Sequence, residues 1–393
     1  MRYHSYLNSA KKIIESNWGV EPFAGFLKKY FAANKKYGST DRKQIAALCY
    51  NFYRLGKAIP DMPVNEKIIA ATFLCEDSHN EFLDFHKPEW NEIISKPDSE
   101  KMKILGLTTD DVFPWADELS TGISFQPFCY SFFDQPDLFL RVRPGKKDMV
   151  IKKLQDAGLK FDMLHDDCIA LSNATKVDAI LDIDKVVVIQ DHNSQQVLNF
   201  LKDPASSIQY PVSSIQHPPV SIWDCCAASG GKSILAYDIL HGEIELTVSD
   251  IRESILSNLK KRFETAGIKN YTSFIADLST NCKLPTINCQ LLICDAPCTG
   301  SGTWSRTPEQ LFFFKQKTID VYVDMQQKIV RQTTSNLRKG GIFIYITCSV
   351  FKKENENMAD FIKEKFHLQL LQMESLKGYD KKADSMFVAV FKK

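Results

Sequence analysis

The chain has 393 residues, with 49 Lys and Arg against 48 Asp and Glu, a net charge of +1, 44% hydrophobic residues and 25% charged ones. This is the balance of an ordinary soluble protein with room for two or three domains; it excludes a globally basic nucleic-acid binder but leaves local patches open. No apolar run approaches the ~20 residues of a membrane span, and the N-terminus lacks the apolar core of a signal peptide, so a cytoplasmic protein without membrane contact is expected.

Residues 1–57 hold eleven Lys and Arg against three acids, a balance of +8, whereas residues 58–130 hold five against fourteen, a balance of −9. The asymmetry fits a basic face for a polyanion, and equally fits solvated helix faces that differ in charge. Apolar residues at Ile13 and Ile14, at Phe23, Phe26, Leu27, Tyr30 and Phe31, and at Ile45, Leu48, Cys49, Phe52 and Leu55 recur at helical spacing. Ser39-Thr40-Asp41 supplies a helix start, and residues 1–131 read as an all-α domain. Residues 132–189 read as a short α/β module: a strand over 138–143, a helix over 147–157 closed by Gly158, and strands over 169–172 and 186–189. Arg141 and Arg143 lie two apart in the first strand and so share a face, where they are candidates to meet phosphates. The plain alternative is two exposed arginines on an edge strand.

Residues 190–393 read as one larger α/β domain. Its centre is the stretch 223–233, Trp-Asp-Cys-Cys-Ala-Ala-Ser-Gly-Gly-Lys-Ser. An apolar entry, an acid, small residues and two glycines before Ile234, Leu235 and Ala236 predict strand, tight loop and helix, as in α/β nucleotide sites. Gly-Lys-Ser ends a P-loop, but that motif needs a glycine where Cys226 stands, and G-x-G-x-x-G is also missing. An amino-acid or nucleoside ligand remains. Further strands over 244–249, 271–276, 291–294 and 342–346 put Asp224, Asp250, Asp277, Asp295, Cys298 and Cys348 at carboxyl ends, the edge where doubly wound sheets bind ligands. Asp250 stands 19 residues past Gly231, where such sites place an acid against ribose hydroxyls. Helical stripes are expected over 255–266, stopped by Gly267, and over 319–337, ending at Gly340-Gly341, with a last antiparallel-edge strand over 387–391. A helix after each strand implies right-handed crossovers and a parallel sheet. The eleven cysteines have no regular framework spacing, and no Cys-x-x-Cys pair or Cys/His cluster suggests zinc; no metal is expected.

The motifs Asp-Cys-Cys-Ala-Ala-Ser-Gly-Gly-Lys-Ser, Asp295-Ala-Pro-Cys298-Thr-Gly-Ser-Gly-Thr, Arg306-Thr-Pro-Glu309, Tyr345-Ile-Thr-Cys348-Ser, Glu354-Asn-Glu356 and Met386-Phe-Val-Ala-Val390 resemble, in order, those of the Nop/Sun (Fmu-like) family of RNA cytosine carbon-5 methyltransferases. The resemblance covers roughly residues 138–393, and Ser229 departs from it where the family usually has proline. It implies a Rossmann-like seven-stranded methyltransferase domain behind a small α/β module and an N-terminal helical domain, with segment 190–198 as an entry helix. Residues 39–50 are similar to part of the RNA-binding helical domain of some bacterial rRNA enzymes of the family.

The chemistry the resemblance implies requires a thiolate. Carbon 5 of cytosine is too poor a nucleophile to take a methyl group until a soft nucleophile adds at carbon 6, and a free thiol, with a pKa of about 8.5, is only a few per cent thiolate at neutral pH. The family pattern gives the attack to Cys348 and product release to Cys298, whereas DNA cytosine methyltransferases attack from the Pro-Cys position. Asp295 would bond the ring at N3 and the exocyclic amine, and Lys232 would stabilise charge on the carbonyl oxygen. Cys226, Ala227, Ala228, Ser229, Gly230, Gly231, Lys232, Asp250, Asp277 and Asp295 are expected around S-adenosyl-L-methionine. Arg141, Arg143 and Arg306 are expected on RNA, and Glu354 and Glu356 to order the site. The implied function is a monomeric S-adenosylmethionine-dependent RNA 5-methylcytosine methyltransferase acting on ribosomal RNA. The alternatives are a tRNA enzyme of the same chemistry and a non-catalytic RNA-binding assembly factor.

Overall fold

The computed structural model describes residues 2–203 and 218–393. These form two units: one takes the chain up to Leu119 with Ile123–Gln135 and Thr303–Gln316, the other Ser120–Gly122, Pro136–Gly302 and Lys317–Lys393. The small α/β module thus groups with the large sheet, and the first unit recruits a segment from far along the sequence.

The first unit is helical, with Arg2–Ser16, Phe23–Ala33, Ser39–Arg54 and Val64–Cys75 as its long helices and Pro308–Phe313 as the returning one. The apolar stripes read from the sequence bury together, Ala10 and Ile13 with Phe23 and Leu27, Ile45 and Phe52, and Phe312 and Phe313 pack against them. Asp41 Oδ2 accepts from the Gly38 N–H at 3.0 Å, satisfying one of the amides orphaned at the start of Ser39–Arg54. Glu309 does the same for Phe23–Ala33, accepting from Phe23 N at 3.2 Å. Two of the basic residues face inward: Arg54 donates to the Phe132 and Asp134 carbonyls and Lys57 to that of Phe312. Lys28, Lys29, Lys35, Lys36 and Lys43 stay exposed.

The second unit contains two sheets. In the smaller, strands β1 (Leu138–Val142), β2 (Asp162–His165), β3 (Cys168–Leu171) and β4 (Val187–Ile189) lie in the order β2-β3-β1-β4, all antiparallel, and Val150 and Leu154 of the helix Lys147–Asp156 cover it. The larger sheet contains β5 (Val220–Asp224), β6 (Ile244–Asp250), β7 (Tyr271–Ile275), β8 (Cys289–Asp295), β9 (Leu337–Thr347), β10 (Gln369–Leu376) and β11 (Met386–Lys392), in the order β10-β11-β9-β8-β5-β6-β7. Alternate residues of the central strands feed two cores. Val220, Ile222, Ile293 and Ile344 meet the helices Gly231–Ile239 and Glu253–Ala266 on one face; Trp223, Leu292, Phe343 and Tyr345 meet Thr318–Thr333 and Glu356–Phe366 on the other. Burying an indole N–H without a partner costs about 1–3 kcal/mol; Trp223 avoids this by donating to Ser249 Oγ at 3.0 Å. From β5 the chain winds outward through β6 and β7 and then returns to β8 on the other side of β5, which opens a crevice between the β5 and β8 carboxyl ends.

The structure corrects four expectations. Residues 190–198 form no α-helix but one short 3-10 turn, Asn193–Gln195, with a second, Asn199–Lys202, just after, because Asn193 and Gln195 spend their side chains on backbone carbonyls. No helix joins β7 to β8. Gly340 and Gly341 do not end a helix; they sit inside β9, where the register against β8 slips, with Gly340 at φ +77° and a Cβ on Gly341 placed 2.9 Å from the Gln290 carbonyl. Finally, β11 is not an edge strand, since β10 pairs outside it.

Candidate active site

The loop after β5 is shaped by its glycine. Gly230 sits at φ +82°, where the Cβ of any other residue would also meet Phe263 at 2.6 Å. Ser229, which stands in place of proline, is clamped by Arg262, whose Nη1 donates to both its carbonyl and its Oγ at 2.9 Å, while Asp184 holds Arg262 from the other side at 2.7 Å. A hydrogen-bonded brace thus takes over the restraint of a ring. Asp250, at the tip of β6, accepts from Ala228 N at 3.0 Å and Arg252 N at 2.9 Å, which fixes the carboxylate against the loop. Asp277 accepts from Ser279 N and Oγ at the end of β7. Beneath the loop, Asp224 is fully buried; Ser233 Oγ donates to its Oδ2 at 2.6 Å, its Oδ1 has no partner, and burial pushes its carboxyl up to about 7. A small-residue cradle, a fixed acid at the second strand and an orphaned buried oxygen suit the nucleoside and amino-acid ends of S-adenosylmethionine.

Across the crevice, Lys232, in the first turn of Gly231–Ile239, puts Nζ 2.6 Å from Asp295 Oδ2 at the end of β8. Burial works to lower the lysine, but the charge and hydrogen bond of Asp295 outweigh it and hold Lys232 above its ordinary value. Cys298 and Cys348, 50 residues apart in sequence, come together with their sulfurs 3.3 Å apart. The hydrogen bond to Cys348 and burial push the Cys298 thiol well up.

Glu354 orders this corner. Fully buried, it accepts from Thr299 N at 2.9 Å and Oγ1 at 2.6 Å, from Ser349 Oγ, and from Gln326 Nε2 at 3.1 Å; burial raises its carboxyl while these donors oppose the shift. The residues following both cysteines are therefore tied to one acid. Gly302 completes the link: its N–H donates to the Cys348 carbonyl at 2.9 Å, and a Cβ there would lie 2.0 Å from the Ser385 carbonyl. Glu356 accepts from Ser120 Oγ at 2.9 Å and Thr121 N at 2.8 Å. The sequence reading gave no role to Thr299, Ser349 and Gln326; the first two stand within the cysteine motifs, but nothing in the sequence singles out Gln326.

Two expected RNA contacts need correction. Arg141 and Arg143 do share a face, but it points inward. Arg141 is 2% exposed and pairs with Asp238 Oδ2 at 2.6 Å, and Arg143 pairs with Asp238 Oδ1 at 2.8 Å while capping the Asp184 and Ala266 carbonyls. They brace β1 against the last turn of Gly231–Ile239. Arg306 is half-buried and belongs to the first unit. Cys226 takes its place in the loop, but its sulfur clusters with those of Cys225 and Cys294, all within 4.8 Å of one another. No helix among the described residues is long and apolar enough to cross a membrane.

Residues 216–390 match the family model described as 16S rRNA methyltransferase RsmB/F. A ribosomal RNA small subunit methyltransferase B from Xanthomonas campestris pv. campestris is 25% identical over 232 residues, 56% of this chain and 48% of that protein. The chain spans about a third to a half of the length of the curated relatives it matches. Among solved structures, PH0851 superposes with a TM-score of 0.70 over 99% of this chain and 98% of its own, at 16% identity. NSun6 from Pyrococcus horikoshii, solved with SFG, gives 0.59 over 72% of this chain and 96% of its own, at 14% identity. At these identities the likeness shows the fold: a methyltransferase-type sheet with helices on both faces.

Proposed function

We propose, from the match of residues 216–390 to the 16S rRNA methyltransferase RsmB/F family, that the chain is an S-adenosylmethionine-dependent rRNA methyltransferase which modifies carbon 5 of a cytosine through a transient cysteine adduct. The observation that carries the reading is the approach of the Cys298 and Cys348 sulfurs to 3.3 Å beside the Lys232–Asp295 pair. Residues 226–231, Asp250 and Asp277 would hold S-adenosylmethionine, which would supply the methyl group.

The protein's own groups do the rest. Cys348, whose sulfur lies 3.3 Å from that of Cys298, is the nucleophile of the family pattern and gives up its thiol proton to water as it attacks. The Cys348 sulfur bonds to carbon 6, and the electron pair of the 5,6 double bond moves toward carbon 5, where it takes the methyl group. Asp295 engages N3 and the exocyclic amine, and Lys232, kept charged by Asp295, stabilises charge on the carbonyl oxygen. Cys298, once its own proton has passed to water, takes the carbon-5 proton; the electrons of that C–H bond re-form the 5,6 double bond and the bond from carbon 6 to sulfur breaks, returning Cys348 as its thiolate. Glu354 holds the residue after each cysteine, Thr299 by its N–H and Ser349 by its hydroxyl, so the sulfurs meet without a search.

The order of the steps provides the test. Cys348→Ala abolishes methyl transfer and any covalent protein–RNA species. Cys298→Ala still attacks and methylates but fails to release, and accumulates a slow band on a denaturing gel when RNA and S-adenosylmethionine are both present. The reversed pattern would overturn the assignment of roles. Bisulfite sequencing of total RNA with and without the protein identifies the cytosine and separates an rRNA from a tRNA target.

A further inference from the structure

Beside the connection between β10 and β11, where Cys168 packs with Ala383, three side chains converge. The tight connection between β2 and β3 brings His165 beside Cys168, and the turn after β4 delivers His192. One ring nitrogen from each histidine and the Cys168 sulfur all lie within 4.8 Å of one another, and Cys168 Sγ is 3.6 Å from His192 Nδ1. Cys168 and His192 are buried. The outer nitrogens are already engaged: Asp167 Oδ1 holds His165 Nδ1 at 2.6 Å, and the Gln196 amide lies 2.8 Å from His192 Nε2. His165 Nε2, by contrast, is buried without a partner.

This is the arrangement of a metal site. An imidazole that gives its Nδ1 proton to a carboxylate carries its lone pair on Nε2, and such an outer acceptor both fixes the ring and raises its basicity toward a cation. For His192 the ligating nitrogen is Nδ1, and the Gln196 amide, whose two ends can exchange places, receives the Nε2 proton. A tetrahedral ion bonded to sulfur at about 2.3 Å and to nitrogen at about 2.0–2.1 Å separates those two atoms by roughly 3.6 Å.

We propose that His165, Cys168 and His192 bind Zn2+, with Asp167 orienting His165 and a water completing the coordination. Binding exchanges the Cys168 thiol proton for the ion, so one proton is released per zinc bound by this sulfur. The ion ties the β2–β3 hairpin to the chain as it leaves β4 for the large sheet. None of its ligands belongs to the cysteine pair that reacts, and its role is to hold the fold.

Titration of the reduced full-length protein with Zn2+ against a chromophoric chelator gives one tight equivalent. Co2+ in place of Zn2+ gives the thiolate-to-cobalt charge-transfer absorption and the intense visible bands of a tetrahedral ion. His165→Ala, on the half-exposed ligand and so the variant least disturbing to the core, and Cys168→Ser each lose the tight equivalent, and Cys168→Ser also loses the charge-transfer band. Asp167→Asn keeps the spectrum but weakens zinc binding about 10- to 100-fold, the usual effect of removing an outer acceptor. Cys225→Ser, in the other thiol cluster, changes nothing. Failure of the wild-type protein to bind, retention of the tight equivalent in both ligand variants, or its loss in Cys225→Ser would each overturn the proposal.

Discussion

The two ends of the helix Gly231–Ile239 carry the same kind of object with opposite meanings. At its first turn Lys232 meets Asp295 at 2.6 Å, and at its last turn Asp238 meets Arg141, also at 2.6 Å. Distance does not distinguish them. The Lys232 end opens on the crevice between β5 and β8, next to the paired sulfurs, and Asp295 keeps partial solvent access with 27% of its side chain exposed. The Asp238 end is closed, with both arginines driven into a single carboxylate and two backbone carbonyls. A buried ion pair is thus a site or a brace according to what else its atoms can reach.

The largest effect is expected at the closed end. Arg141→Ala removes one of two cations from a buried acid and lowers stability by about 3 kcal/mol, the low end for breaking a buried pair because Arg143 remains. Denaturant unfolding measures this, and the salt dependence of RNA binding in the same variant stays unchanged. A variant that folds normally but binds RNA with a shallower salt slope would return Arg141 to the RNA path.

Asp295→Asn at the open end does the reverse. It leaves the unfolding midpoint close to wild type and lowers the single-turnover methylation rate about 10²- to 10³-fold, the scale of losing one preorganised electrostatic partner. Equal damage to stability would make this pair a second brace.

Asp224, beneath the first turn of the same helix, makes a pH prediction. Its carboxyl is raised in the folded protein from 3.8 to about 7 by burial, so between those values the folded state holds a proton that the unfolded chain gives up. Stability therefore falls as pH rises through this window and levels off above it. Asp224→Asn, which keeps an acceptor for Ser233, flattens that decline in unfolding curves taken from pH 4 to 8.

The smallest effect concerns where the RNA phosphates are met once Arg141 and Arg143 are committed elsewhere. The exposed Lys28, Lys29, Lys35, Lys36 and Lys43 are one basic group in the first unit. Replacing each singly by Glu reduces the slope of log affinity against log salt by about one for every phosphate no longer neutralised. Unchanged slopes in all five would make this face ordinary solvated surface.

The same contrast explains what the sequence could disclose. Asp250, Asp295, Cys298 and Cys348 were legible because strand ends in a doubly wound sheet collect at one edge, and apolar runs mark the strands. Alternation likewise placed Arg141 and Arg143 on one face, but a two-residue period cannot say what covers that face, and here the cover is Asp238. β10 escaped notice because its side chains are largely exposed on both faces, which leaves no alternation to read. The glycines in β9 look like a helix stop because a slipped register and a helix end ask for the same backbone freedom. Gln326 and the His165–Cys168–His192 group were hidden for a different reason: each depends on tertiary approach between segments whose spacing matches no local motif.

The segment Thr303–Gln316 belongs to the first unit, yet it follows Gly302, which is bonded to the Cys348 backbone. During synthesis the first unit therefore waits. Its four long helices emerge early, but Phe312, Phe313 and the carboxylate of Glu309 that secures Phe23 reach it only after β5 to β8 have left the ribosome. Until then the surface those aromatics cover is open to chaperones or to wrong partners. A pause in translation placed before residue 303 prolongs that exposure, and one placed after residue 316 does not.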